Sequence, residues 1–160
     1  MLEIISHTPV WVFAIFFLLL FLGIKQSKET NITVRSLFIL PVAMLLFSFY
    51  GIYSVYGFSA LSVLSWCGAL VITTFIGRKY LVSKTITYLS SDKRFNIPGS
   101  WVPLVVMMAI FFSKYFVNVA LVLELPVINN MYFMVLSSCL FGVMSGFFIA
   151  RSLVIYKQRT

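Results

Sequence analysis

Apolar residues run along this chain in five long blocks, with polar residues gathered in the stretches between them. The blocks cover 8–24, 36–57, 58–77, 101–123 and 131–156. Hydrocarbon ~30 Å thick asks for a helix of about 20 apolar residues, and a block of about 17, such as the first, sits at the lower limit. The pattern predicts an all-α, integral membrane bundle of five helices, forming a single domain over 1–160.

The block edges carry local signals. Pro9 suits a helix start and Trp11 a membrane interface. Pro41 falls in the first two turns of the second block, where it can bend the helix. Only Gly57-Phe58-Ser59 separates the second block from the third, which predicts a tight antiparallel hairpin. Ser100 is placed to cap the fourth helix, and Pro103 falls in its first turn, where a missing N–H costs little.

Stretch 25–35, KQSKETNITVR, reads as a polar loop. Stretch 78–100 is the longest loop. Within it Thr85-Ile86-Thr87-Tyr88 alternates, Ser90-Ser91-Asp92-Lys93 reads as a turn, and Phe95 and Ile97 alternate again. A small hairpin on the membrane surface and an irregular loop both fit that pattern.

Composition agrees with burial in lipid. The chain is 61% hydrophobic and only 10% charged, against roughly 25% in soluble domains. That is too little charge to cover a water-facing surface, so membrane lipids are the expected partners. The net charge is +8. The basic residues sit at block ends, as topology signals do, which argues against nucleic acid. Lys25, Lys28 and Arg35 fall in the first loop, five more in 78–100, and Lys157 and Arg159 in the tail, with none in the other connections. Five spans put all of them on one side. The positive-inside rule makes that side cytoplasmic, with the N-terminus outside and the C-terminus inside. Residues 1–8 carry Glu3 and His7 but no lysine or arginine, so the first block reads as a mature helix and not as a signal peptide.

Few residues are left for chemistry. Cys67 and Cys139 lie in apolar runs and read as small hydrophobes, with no disulfide or zinc pattern. The one histidine, His7, excludes a haem held by two histidines. No metal, no cofactor and no enzymatic constellation is expected.

Lys114 is the exception, because an ammonium inside an apolar helix is costly and marks a functional hypothesis. It lies about 20 Å from the cytoplasmic interface, and Asn118 shares its face. Tyr53 and Ser138 fall at similar depth. The acidic residues Glu3, Glu29, Asp92 and Glu124 all lie outside the blocks, so no internal carboxylate is available. Lys114 is then either neutral or paired with an outside anion. Snorkelling or a purely structural hydrogen bond is the competing reading. Arg151 lies about 9 Å inside the cytoplasmic end. It either snorkels to lipid phosphate or marks a second level of one anion path.

Ser138, Gly142, Gly146 and Ala150 form a stripe of small residues, each four apart, containing a GxxxG pattern. Such a stripe lets helix backbones approach closely, within one chain or between copies.

The opening LEIISHTPVWVF, the run NIPGSWVPLVVMMAIF with SKY after it, and the ending FGVMSGFFIARSL resemble a family of small, uncharacterised bacterial inner-membrane proteins. The resemblance spans most of the chain. It implies location and span count and transfers no catalytic or binding residue.

The sequence therefore points to binding or transport of a small anionic or amphiphilic molecule, through a polar cavity around Lys114 supported by Asn118, Tyr53, Ser138 and Arg151. The rival is a non-transporting accessory or scaffold subunit assembling through the fifth helix. With an odd number of spans and no internal repeat, a transporter of this size would need to be a homo-oligomer.

Overall fold

Each apolar block folds as one α-helix. The computed structural model describes residues 10–81, 87–89 and 94–158. The expected helix entry at Pro9, the alternating pair Thr85-Ile86 and the turn at Ser90 to Lys93 lie outside the described residues. The helices are α1 (Val10–Ser27), α2 (Val34–Tyr56), α3 (Ala60–Tyr80), α4 (Val102–Val122) and α5 (Met131–Lys157). Four of them, α2 to α5, are long and apolar enough to cross a membrane, and α1 is a shorter apolar helix.

α1 and α3 run about one turn past their apolar blocks, into the basic residues that follow. Lys25 lies in the last turn of α1, Arg78 and Lys79 in that of α3, and Lys157 in that of α5. Cations are favoured there by the helix macrodipole. α4 ends in a two-bond cap. The Leu125 N–H donates to the Ala120 carbonyl and the Glu124 N–H to the Leu121 carbonyl, both at 3.0 Å. Glu124 takes the left-handed conformation (φ 51) that this motif demands.

α5 occupies the centre. Its small-residue stripe faces α3, and the two backbones nearly touch. A Cβ added at Gly146 would come within 2.7 Å of the Leu70 carbonyl oxygen and 2.9 Å of Thr73 Cβ. One added at Gly142 would collide with the Trp66 carbonyl oxygen, and one at Gly77 would lie 2.6 Å from Ala150 Cβ. Gly142, Gly146 and Ala150 of the stripe are thus packed against α3 within the chain.

The expected tight hairpin of the second and third helices is corrected by this pairing. The turn itself is short, with Gly57 at φ 60 donating its N–H to the Tyr53 carbonyl at 3.0 Å. Yet α3 lies chiefly along α5, and α2 also packs mainly on α5. The reason is steric: Ala69, Thr73 and Gly77 give α3 a small face that fits Gly142, Gly146 and Ala150.

Buried hydroxyls tie the three helices together. Trp66 Nε1 donates to Ser48 Oγ at 2.8 Å, and Ser48 Oγ donates to the Phe141 carbonyl at 3.1 Å. Ser152 Oγ donates to the Leu37 carbonyl at 3.1 Å. Tyr56 Oη and Ser137 Oγ share a hydrogen bond of 2.9 Å. On the other side α1 packs on α4, with Gly23 against Leu104. Leu19, Met44, Met107, Ile110, Phe111 and Phe148 join the two halves in one apolar core.

The first loop is not irregular. Thr30–Thr33 forms strand β1, and the long loop supplies β2 (Thr87–Leu89) and β3 (Arg94–Ile97). They make a three-stranded antiparallel sheet in the order β1-β3-β2. The hairpin reading of 78–100 is therefore realised in its strand pairing, with a third strand from 25–35 added. Alternation sets the faces. Phe95 and Ile97 are buried against Leu37 and Ile155, and Ile32 packs beside them. Asn96, on the other face, donates from Nδ2 to Glu29 Oε1 at 2.8 Å. The sheet closes one end of the bundle and fastens the two basic loops to the same end. Gly99 and Ser100 complete the closure. The Ser100 N–H donates to the Gln26 carbonyl at 3.0 Å, while Gly99 lies so close to the Ser27 carbonyl that a side chain would not fit.

Gly146→Leu should lower the unfolding free energy by about 1–3 kcal/mol or more through overpacking. Gly68→Leu should leave stability unchanged, since nothing lies within 4 Å of a Cβ there. Thermal melts in detergent followed by circular dichroism compare the two. Equal effects would show that α3 and α5 do not pack this way.

Candidate functional site: a basic cleft at the sheet end

The sequence-expected site residues separate into three places. Lys114 reaches from α4 across to α2. Its stem lies against Gly51, with Cε 3.4 Å from where a Cβ would stand. Its Nζ lies 3.8 Å from the Phe47 ring centroid and 5.0 Å from that of Tyr50. It donates one long hydrogen bond of 3.4 Å to the Phe47 carbonyl. Asn118 turns back on its own helix and donates to the Lys114 carbonyl at 2.8 Å. Tyr53 is exposed and packs edge-on against Phe58, 5.1 Å between centroids.

Ser138 lies elsewhere, fully buried on α5. Its Oγ and that of Ser145 have no hydrogen-bond partner among the described residues. Gly142, Gly146 and Ala150 lie on the same helix against α3.

Arg151 is in the third place, at the sheet end. It borders two clefts. One, of about 240 Å³, lies among α1, α2, α5 and the sheet; Lys25, Lys28, Thr30 and Ser36 line it with Arg151. The other, of about 300 Å³, is lined by Gly99, Ser100, Val102 and Phe147 as well as Arg151. Lys114 lines neither. Arg151, Lys25 and Lys28 have no ion-pair partner among the described residues, and Glu29 beside Lys28 accepts a hydrogen bond from Asn96. The first cleft's apolar lining comes from Leu22, Ile39, Leu40, Phe148 and Ile155. Chemically it offers three cations above an apolar trench.

Sequence reasoning had assigned Lys25 and Lys28 to topology alone. The available signal was the strand-like TNIT after them, which folds this loop back over the helix ends.

Residues 1–159 match the model of DUF6622, a family of unknown function. The chain belongs to that family. Comparison with curated proteins and with solved structures gave no match. DUF6622 membership agrees with the expected uncharacterised family and adds no activity, so the chemistry of this DUF6622 chain rests on its own side chains.

The environment of Lys114 sets an expectation for its removal. Cation–π attraction is worth up to about 2 kcal/mol when desolvated, against a desolvation cost of about 2.5–3.5 kcal/mol or more. Lys114→Met keeps the stem beside Gly51 and removes both terms. Its stability should stay within about 1 kcal/mol of the parent or rise. Gly51→Leu, which displaces the stem, should cost about 1–3 kcal/mol. Detergent melts measure both; a larger loss for Lys114→Met would show that the ammonium itself holds α2 to α4.

Proposed function

We propose that this protein is a multi-pass membrane protein of the bacterial inner membrane that binds an anionic amphiphile in the cleft at its sheet end. The observation that carries this reading is that Arg151, Lys25 and Lys28 all line one largely apolar cleft of about 240 Å³. A concave, mostly apolar site with a few convergent polar groups is the usual form of a small-molecule site. No carboxylate pairs with the three cations among the described residues, which supports an anionic ligand. This reading keeps an anionic ligand and moves its place from Lys114 to Arg151. Binding is preferred to transport, because Lys114 is turned against α2 and borders neither cleft.

The sheet end is the cytoplasmic end in this reading. Support comes from the basic residues of both loops, which β1 and β3 fasten to one end of the bundle.

Two experiments test these points. A cysteine at Asn31, exposed on β1, in a background lacking Cys67 and Cys139, should resist an impermeant thiol reagent in intact cells and react after permeabilisation. Labelling in intact cells would reverse the orientation. Ser36 is exposed and lines the cleft, so Ser36→Trp should fill its mouth without touching the core. Native mass spectrometry of protein extracted in mild detergent should then show a retained amphiphile on the parent and at least tenfold less on Ser36→Trp. Equal retention by both would remove the cleft from the reading.

A further inference from the structure

The walls of the cleft change character in one direction. On α1, Lys25 lies in the last turn and Leu22 one turn deeper. On α2, Ser36 lies in the first turn, with Ile39, Leu40 and Ala43 one to two turns deeper. Both walls therefore run from polar at the sheet to apolar toward the middle of the bundle. The two walls also stand apart, since α1 packs on α4 while α2 packs on α5. The mouth between them is exposed at Lys25, Lys28, Ser36, Ile39 and Ala43. Ile39 is 66% exposed on the face that would meet lipid chains.

We propose that this cleft takes the phosphate headgroup of an anionic membrane lipid, entering sideways between α1 and α2 from the leaflet on the sheet side. This rests on the amphiphile reading above and narrows it. A headgroup followed by acyl chains has the same order of polarity as the two walls. At about 240 Å³ the cleft is too small for a two-chain lipid. It holds the headgroup and the first carbons, and the chains remain in the bilayer along Ile39. Phosphate fits the donors better than carboxylate does. Its oxygens point tetrahedrally, so cations from α1, from the loop before β1 and from α5 can reach them together. Arg151 supplies a planar fork that bonds two of those oxygens at once.

The test uses the full chain in detergent with defined probes. Phosphatidylglycerol, phosphatidylcholine, laurate and inorganic phosphate are added in turn, and bound species are counted by native mass spectrometry. Phosphatidylglycerol should be retained well above phosphatidylcholine. Arg151→Gln, and separately Lys25→Gln with Lys28→Gln, should weaken phosphatidylglycerol by about fivefold for each cation removed, leaving phosphatidylcholine unchanged. The two lysines are exposed, so the second variant reports even where Arg151→Gln fails to fold. Equal binding of the two lipids, or no effect of the lysine variant, overturns the proposal. Laurate held through the same cations while phosphatidylglycerol is not would leave the amphiphile reading standing and overturn the phospholipid. Displacement of the lipid by millimolar inorganic phosphate would assign the site to a free anion and overturn it too. No bound species at all would end both readings.

Discussion

The near-contact of the α3 and α5 backbones is the constraint on which the other placements depend. In the membrane proposed for these helices, hiding more apolar surface from lipid would gain little, so association would rest on close packing and a few hydrogen bonds. Gly142 and Gly146 supply the closeness, and Trp66, Ser48 and the Phe141 carbonyl supply a relay across three helices. Ser48 can act as both acceptor and donor only if α2 lies where α3 and α5 meet. Ser152 and Ser137 then hold α2 to α5 at two further levels. α1 and α4 complete the bundle as a second pair, joined through the core around Met107 and Phe111.

The separation into two pairs leaves the sheet end to be closed by something other than helix packing. β3 does this with Phe95 and Ile97, which are buried against α2 and α5. β1 is drawn in because its register places Ile32 opposite Phe95. The cleft is what remains beneath the sheet where α1 and α2 diverge. Its cations arrive there as side products of helix ending: Lys25 because cations suit a helix C-terminus, Lys28 because the chain must turn into β1.

The five helices could be read from the apolar blocks because their length and lack of charge leave few alternatives. Helix rotation could not, since in sequence an exposed apolar residue looks like one facing a neighbour. The stripe of Ser138, Gly142, Gly146 and Ala150 was visible, but one stripe alone does not say which helix it meets. Ala69, Thr73 and Gly77 repeat at the same four-residue spacing on α3 and would have named it. Lys114 drew attention because charge in an apolar run is conspicuous. Its surroundings at Phe47, Tyr50 and Gly51 are ordinary apolar-helix residues that carry no sequence signature of a cation's neighbours. Arg151 falls at the sheet end, yet the cations near it come from a loop whose pairing depends on β3, more than sixty residues away. Strand TNIT is four residues long, and without that partner it carries too little signal to oppose a loop assignment.

The central position of α5 has a bearing on how the chain is made. The other four helices precede it in the sequence and leave the ribosome first. Until α5 arrives, the hydroxyl of Ser48 has no Phe141 carbonyl to donate to, and the small face of α3 lacks the glycines it packs against. The order of synthesis therefore leaves the face of α3 that packs most closely in the fold without its partner until α5 is made. That face is covered only when Gly142 and Gly146 close over Trp66 and Leu70.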